Sequence, residues 1–294
     1  MPTSDLDQRD VQLDQELAGL DALELAQSAR RPLPRRIWSA AWPKLAAIGI
    51  GLGIWELVVA SGWRPEYVLP PPERVWDALR AEAASGALWD AMQTTLRRAG
   101  IGFTMALVIG VIVGSLVSQV KVLRAAFGSF ITGLQTMPSI AWFPLAVLLF
   151  KRTEAAIFFV VVLGAAPSIA NGLIAGVDTL PPLFVRAGRT MGARGITLFR
   201  HVVLPGAMPS FVSGIKQGWA FAWRSLMAGE LLVIIANSHS IGERMENARQ
   251  LTKVPTLMSY MVVILVIGIV LDALVFGAAE RAVRRRWGLL DNRG

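Results

Sequence analysis

Side chains able to carry covalent or metal chemistry are few in this sequence. Cysteine is absent and the histidines are His201 and His239, which excludes thiolate chemistry, disulfides and metal sites built from histidine and cysteine. Neither His-Glu-x-x-His nor Gly-x-Ser-x-Gly occurs, and no lysine follows a glycine as it does in a phosphate-binding loop. The sequence therefore offers no candidate hydrolase site and no ATP site of this kind.

The ionisable residues that stand out lie inside long apolar blocks, where a charge is costly unless it is paired or faces water. They are Glu56, Lys216, Arg224, Glu230 and Asp272. Lys216 and Asp272 fall at a similar depth, roughly 12 Å from the same end of their blocks, which predicts a structural ion pair. Arg224 lies at the depth of Glu56. These two residues either pair with each other, or Arg224 is a free cation that attracts an anion.

The apolar residues are gathered into blocks of membrane-spanning length. Of the 294 residues, 54% are hydrophobic and 17% are charged, and a helix needs roughly 20 mostly apolar residues to cross about 30 Å of hydrocarbon. Six blocks meet this length and predict an all-α membrane protein with six transmembrane helices, at about 41–62, 96–118, 127–150, 155–176, 207–236 and 256–280. Glycines four residues apart predict close helix packing. The pairs are Gly110 and Gly114, Gly172 and Gly176, and Gly214 and Gly218.

The basic residues predict the orientation of these helices. If the chain starts inside, sixteen lysines and arginines flank the inner ends of the blocks and ten flank the outer ends, so both termini are expected in the cytoplasm. Residues 1–40 then form an acidic, amphipathic cytoplasmic tail with a basic flank, and 291–294 form a short C-terminal tail. The net charge is +8, but the basic residues lie beside the apolar blocks and form no continuous stripe. This distribution argues against a nucleic-acid partner.

Two polar segments interrupt the apolar pattern. Residues 72–92 begin with proline and continue with Val75, Trp76 and Leu79 at helical spacing, which predicts an amphipathic helix on the outer surface. Residues 183–206 are too polar to cross a membrane. Their pattern predicts two short helices that are joined at Gly192 and ended by Pro205, and four arginines place the segment in the cytoplasm.

Prolines inside the third block predict a broken helix. Pro138 and Pro144 remove two backbone hydrogen bonds, and such a break is tolerated where it lines a cavity or packs against protein. A kink buried at a helix interface is the alternative to a pathway. The candidate pathway residues, near these prolines and in the fourth and fifth blocks, are Gln135, Thr136, Pro138, Ser139, Trp142, Pro144, Ser168, Asn171, Arg224 and Glu230.

The segment 186–205 resembles the coupling-loop motif of ABC-importer permeases, which runs Glu-Ala-Ala, three residues, Gly, nine residues and Ile-x-Leu-Pro. The matching positions are Ala187, Gly192, Leu204 and Pro205. Arg186 stands where the family usually has Glu, and Gly188 stands where it has Ala. Residues 67–76, 137–145 and 203–209, with the basic run after residue 280, are similar to the nitrate/sulfonate/taurine branch of these permeases. The resemblance covers residues 41–290.

This resemblance implies a transport subunit and not an enzyme. It implies a second copy of the permease, two ATP-binding cassette ATPase subunits that hold ATP and Mg, an external substrate-binding protein, and a place in the bacterial plasma membrane. The chain itself is expected to bind no cofactor and no metal. The cargo implied by the branch is an aliphatic sulfonate or taurine, with nitrate or a thiamine-precursor-like compound as alternatives. The competing classes are a membrane-embedded hydrolase and a channel or ion-driven carrier, neither of which needs a coupling loop.

The resemblance also implies which residues contact the ATPase. Residues 194–199 are expected to form the docking helix, with Phe199 as its apolar anchor and Arg194 as a polar contact. The full set of expected coupling residues is Arg186, Ala187, Gly188, Gly192, Ala193, Arg194, Thr197, Phe199, Leu204 and Pro205.

Overall fold

The structure is a computed structural model that describes residues 33–235 and 238–287, and all regular secondary structure in these residues is helical. It divides into two units, Met1–Arg64 and Pro65–Gly294. In the first unit, helix α1 (Leu33–Ala60) carries an apolar run, Trp42–Ala60, that is long enough to span a membrane. The C-terminal tail predicted at 291–294 and most of the N-terminal tail predicted at 1–40 lie outside the described residues.

The second unit is a succession of long and short helices. In chain order they are α2 (Pro72–Ala84), α3 (Ala87–Gln119), α4 (Lys121–Thr136), a 3-10 turn (Ser139–Trp142), α5 (Phe143–Phe150), α6 (Glu154–Asp178), α7 (Pro182–Thr190), α8 (Gly195–Leu198), a π-helical turn (Phe199–Val203), α9 (Leu204–Leu232), α10 (Ile241–Gln250), α11 (Val254–Leu271), a second π-helical turn (Asp272–Phe276) and α12 (Gly277–Arg286).

Length and composition identify the helices that can cross a membrane. In the described part of the chain these are Trp42–Ala60, α3, α6 and Val254–Arg286, and the bent pair Val122–Thr136 and Ser139–Phe150 makes a fifth if it is one span. The remaining predicted span corresponds to α9, which is long enough but carries Lys216, Arg224 and Glu230.

Helix α6 is the centre of the second unit, packed between α3 and α9. Glycines make these crossings close. A Cβ atom added to Gly172 would lie 2.5 Å from Cα of Gly214, and one added to Gly110 would lie 2.8 Å from Cβ of Ile169. Because real side-chain carbons do not approach this closely, only glycine fits at these positions. The close packing predicted from the glycine pairs is confirmed at both crossings.

The predicted amphipathic helix at 72–92 is wrong in its extent. It ends at Ala84, because Gly86 adopts a left-handed conformation (φ 82°) and a new helix, α3, begins at Ala87. Helix α2 packs against α11, and the Tyr260 hydroxyl donates a hydrogen bond of 2.7 Å to Glu82 Oε2. The second apolar helix therefore begins earlier than the expected residue 96.

The third apolar block is broken more sharply than a proline kink. Helix α4 ends at Thr136, and the helical stretch after it turns by 100°. Pro138 precedes the 3-10 turn, so its ring ends one helix before another begins. Pro144 lies in the first turn of α5, where a missing N–H breaks no hydrogen bond, and the expectation that it breaks a helix is wrong.

Candidate functional site

The segment between α6 and α9 forms two short helices joined by a tight turn. Helix α7 is followed by Gly192 with φ 86°, and Gly195 also has a positive φ of 52°. Both values lie in the region that favours glycine. The turn is closed by Ala193 N, which donates to Gly188 O at 3.0 Å, and Gly188 itself is buried against Leu198. The helix, glycine turn and helix predicted here are present.

Pro205 does not end a helix, contrary to the prediction. The chain remains helical from α8 through the π-helical turn into α9, and Pro205 lies in the first turn of α9. The physical reason is the π turn, in which Leu204 N bonds Phe199 O five residues earlier. The wider turn accommodates the proline ring without a break in the helical path.

Exposure of the coupling residues is uneven. Met191 and Ile196 are 81% and 83% exposed, while the expected anchor Phe199 is partly buried. Met191 and Ile196 are thus the most exposed apolar side chains of this segment, and Leu183 and Phe184 in the first turn of α7 are exposed as well. Of the expected coupling residues, Arg186, Ala187, Gly192, Arg194 and Thr197 are exposed, Ala193, Phe199, Leu204 and Pro205 are partly buried, and Gly188 is buried.

A cavity of about 270 Å³ lies beside the break between α4 and α5. Its lining residues are Gln135, Thr136, Met137, Pro138, Ser139, Ile140, Gly164, Phe221, Arg224 and Ala228. Five of the ten predicted pathway residues are among them. Among the described residues, Arg224 is the one charged residue in this lining. The Ser225 hydroxyl joins the two walls with a hydrogen bond of 2.8 Å to Ser139 Oγ.

The Arg224 guanidinium is hydrogen-bonded through Nε, and its terminal nitrogens are available to a ligand. Its Nε donates to Ala220 O at 3.1 Å, and its central carbon lies 5.0 Å from the Phe221 ring centroid. Within the second unit, the described residues supply no carboxylate partner to Arg224. Glu56 belongs to the first unit, so its pairing with Arg224 stays a prediction.

The remaining pathway candidates do not line this cavity. Asn171 Nδ2 donates to Gln135 Oε1 at 2.6 Å and so supports a lining residue from behind. Ser168 is 1% exposed, within the packing of α6 against α9. Trp142 packs partly buried against the core, and Pro144 is exposed outside the lining. Periodicity alone did not distinguish these neighbours from the lining residues.

Lys216 and Asp272 lie together, as their matched depth suggested. Lys216 Nζ is 3.5 Å from Asp272 Oδ2 and 3.6 Å from Glu280 Oε2. The lysine thus joins α9 to the second π turn and to α12. All three side chains are at least one third exposed in the isolated chain, and the contacts pair charges that lie within or beside apolar helices.

Residues 106–288 match the family described as "Binding-protein-dependent transport system inner membrane component". The chain belongs to this family. It is accordingly a multi-pass inner-membrane permease subunit of an ABC importer, a transport subunit and not an enzyme, which works with an ATPase and a substrate-binding protein.

Relatives of the permease point to one branch. An aliphatic sulfonates transport permease protein of Escherichia coli K12 is 32% identical over 71% of this chain and 78% of its own length. The taurine transport system permease protein of the same strain is 25% identical over 87% and 91%. The nitrate import permease protein of Leptolyngbya laminosa is 25% identical over 65% and 70%. The permease is thus similar to the nitrate/sulfonate/taurine branch.

A solved structure shares the fold of the permease. The MetNI methionine ABC transporter, described as inward facing, matches with a TM-score of 0.55 and 21% identity over 68% of this chain and 95% of that chain. At this identity the likeness shows the fold alone, which is that of type I ABC-importer permeases.

The permease also contains a buried polar cluster that sequence reasoning missed. Arg98 is 2% exposed and bonds three partners: Nη1 lies 3.2 Å from Glu230 Oε1, Nε lies 3.0 Å from Glu154 Oε1, and Nη2 lies 2.7 Å from Ser238 Oγ. Thr95 Oγ1 donates to Glu230 Oε2 at 2.9 Å. We call these five residues the Arg98 network. It joins α3, the first residue of α6, the end of α9 and the loop after α9.

Glu230 was expected to face the pathway and is instead 1% exposed inside the Arg98 network. Arg98 is one of the ten basic residues that were counted from the sequence at the outer ends of the apolar blocks. The sequence did contain a signal that Arg98 is buried. Thr95, Arg98, Ala99 and Gly102 share one face of α3, and a face with small residues usually packs against another helix. The pairing of Arg98 with Glu230 across 132 positions has no local signal.

Proposed function

We propose that two copies of this permease form the pathway through which an ATP-driven importer moves a small anion, an aliphatic sulfonate or taurine, into the cell. The observation that carries the proposal is Arg224, which is the single charged group that the described part of the chain contributes to the lining of the cavity beside the broken helix. The named cargoes of the relatives, aliphatic sulfonates, taurine and nitrate, all carry an oxyanion.

The cavity has the groups that an oxyanion requires. The terminal nitrogens of Arg224 remain available for charge-assisted hydrogen bonds, which are the strong ones. The lining also contains Ser139 and Gln135, whose side chains can donate, whereas the Thr136 hydroxyl donates to Gly133 O at 2.9 Å. Apolar side chains in the same lining, such as Ile140, would contact a short alkyl chain. A sulfonate with a small organic tail matches both features.

We further propose six spans with both termini in the cytoplasm, α9 being the span that composition alone does not reveal. Its charges are each accommodated: Glu230 lies in the Arg98 network, Lys216 lies near two carboxylates, and Arg224 lines the cavity. The basic residues of α12, Arg281, Arg284, Arg285 and Arg286, favour a cytoplasmic C-terminus.

In this orientation, residues 182–205 face the cytoplasm and dock on the ATPase. Met191 and Ile196 supply the exposed apolar contact, Arg194 and Arg186 supply charge at its edge, and Phe199 lies behind them. ATP and Mg are bound by the two ATPase subunits, and the permease holds no cofactor. An external binding protein delivers the anion to the opposite side.

Nitrate is the second candidate, because Arg224 suits any small oxyanion. A thiamine-precursor-like base is less well matched, since a guanidinium repels a cationic ring and gives a neutral one little advantage. The discriminating experiment is ATP hydrolysis by the complex reconstituted in liposomes with its ATPase and binding protein, screened over taurine, alkanesulfonates, nitrate and pyrimidines. Sulfonates are expected to stimulate hydrolysis, and a screen in which none does contradicts the proposal.

The role of Arg224 has its own test. Loss of a hydrogen bond to a charged group costs about 1.5–3 kcal/mol, so Arg224→Gln should reduce uptake at saturating binding protein by roughly 10-fold to 100-fold. Arg80→Gln is the matched control, because it removes the same charge from an exposed position outside the cavity. Equal uptake by the two variants at equal protein level removes Arg224 from the pathway.

A further inference from the structure

The Arg98 network lies at the end of α9 that is opposite to the coupling segment. Helix α9 begins next to the π turn of that segment and ends two residues after Glu230. Between these ends it carries Arg224 at the cavity. One helix therefore connects the region proposed to meet the ATPase, the proposed anion cavity and the buried network, which lies on the external side in the orientation proposed above.

The Arg98 network holds helices together at a cost in desolvation free energy. Arg98 and Glu230 are both buried, and burial of two charges costs free energy that their attraction only partly returns. Elsewhere α9 is held to α6 by glycine contacts that need no charge. Buried polar networks of this kind fix one geometry, since their hydrogen bonds are satisfied in a single arrangement of the partners.

The Arg98 network fixes the position of the start of α10. Gly242 N donates to Glu230 Oε2 at 3.2 Å, and Ile241 N donates to Thr95 Oγ1 at 3.0 Å. A third amide, that of Glu243, is capped by Ser240 Oγ at 3.3 Å. The first N–H groups of a helix have no partner within it, and here two of them are bound by side chains of α3 and α9. The start of α10 is thereby tied to the end of α9.

The far part of α10 presents a charged surface. Arg249 donates two hydrogen bonds of 2.6 and 2.7 Å to Glu246. These bonds lower the pKa of Glu246 to about 2, so the pair stays charged throughout the physiological range. Asn247 and Gln250 are exposed beside it. In the proposed orientation this polar surface faces the compartment of the binding protein.

We propose that Thr95, Arg98 and Glu230 are positioning residues for transport, which join the start of α10 to the external ends of α3, α6 and α9 so that docking of the binding protein on α10 displaces these ends together. This rests on the proposed function, because it requires an external partner and a pathway along α9. The residues touch neither the anion nor ATP. They act through the connection of α10 to these helix ends.

The test compares basal ATP hydrolysis with hydrolysis stimulated by the loaded binding protein, in the reconstituted complex. Glu230→Gln removes the charge and one acceptor, and Thr95→Val removes the hydroxyl at constant shape while it leaves the ion pair intact. Glu66→Gln is the control, since Glu66 forms an exposed ion pair of 2.8 Å with Arg74. We expect basal hydrolysis within twofold of wild type in all three. Stimulation should fall at least tenfold in Glu230→Gln, about threefold in Thr95→Val and not at all in the control.

Hydrogen exchange measured by mass spectrometry over residues 238–250 separates positioning from mere stability. Faster exchange of the Ile241 and Gly242 amides together with lost stimulation supports the proposal, and Glu230→Asp, which keeps the carboxylate, should recover part of both. Faster exchange with full stimulation overturns it, as does unchanged exchange. If Glu230→Gln does not assemble, Thr95→Val decides by the same criteria. Failure of the proposed function would appear in the wild type, as absence of any stimulation, whereas failure of this inference appears only in the variants.

Discussion

The contact between Gly172 and Gly214 allows a quantitative prediction about the crossing of α6 and α9. In Gly214→Ala, the new Cβ would lie 2.6 Å from Cα of Gly172 and 3.1 Å from the Ser168 carbonyl oxygen. Carbon atoms in contact are normally about 3.5–4.0 Å apart. Both neighbours are backbone atoms that cannot rotate away, so the two helices must separate by about 1 Å.

The expected cost follows from two opposing effects. Insertion of an extra carbon into a packed interior costs about 1–3 kcal/mol, and a backbone neighbour places this case at the upper end. The exchange of glycine for alanine in a helix returns up to about 1 kcal/mol. The net expectation for Gly214→Ala is a loss of about 2 kcal/mol, which for a unit of this size lowers the melting temperature by about 4–8 °C.

The assay is thermal melting of the purified permease in one detergent, with Gly100→Ala as the matched control. Gly100 is also helical, and a Cβ added there meets no atom within 4 Å, so the same exchange should leave the melting temperature unchanged or raise it. Gly172→Ala and the double variant should depart from additivity, because the two glycines touch. If Gly214→Ala melts no lower than Gly100→Ala, the close crossing described here is wrong.

Further outcomes are expected elsewhere in the permease. Gly192→Val forces a β-branched residue into a left-handed turn, and it should insert normally yet uncouple ATP hydrolysis from uptake; normal uptake would speak against the coupling turn. Ile196→Asp places a charge on the exposed apolar contact and should abolish co-purification with the ATPase, whereas the neighbouring Thr197→Ser should not. Lys216→Met leaves Asp272 and Glu280 without their cation, and because an unpaired charge in a spanning helix is costly, it should lower the melting temperature in detergent; an unchanged melting temperature would speak against the ion pair.

Sequence reasoning succeeded where the cause of the structure is local or periodic. The turn at Gly192 follows from glycine spacing between two polar helices, and the glycine contacts of α6 follow from small residues four positions apart. The approach of Lys216 to Asp272 was accessible because depth along a helix is proportional to residue number. Each of these predictions needed only the conformation of one segment or the relative depth of residues on two neighbouring helices.

The predictions were wrong where a residue's conformation or contacts depend on the packing of several helices. Pro205 was expected to end a helix, since proline usually does so in a helix interior. The π-helical turn before it, which accommodates the proline ring, could not be predicted from the presence of proline alone. Arg98 and Glu230 lie far apart in sequence, and each taken alone resembled another class of residue, a basic flanking residue and a pathway acid. Only the packing of α3 against α6 and α9 brings them together.

The contact of α6 with α9 at Gly172 and Gly214 also has a mechanical consequence. The backbones touch there, and the Arg98 network ties the far end of α9 to the first residue of α6, so the two helices are joined at two points and would turn as one lever with this crossing as its pivot. The pivot divides α9 into arms of about 15 Å and 27 Å. A rotation of about 10° would move the ends of the helix in opposite directions by about 3 Å and 5 Å. A see-saw of this kind closes one side of a pathway as it opens the other.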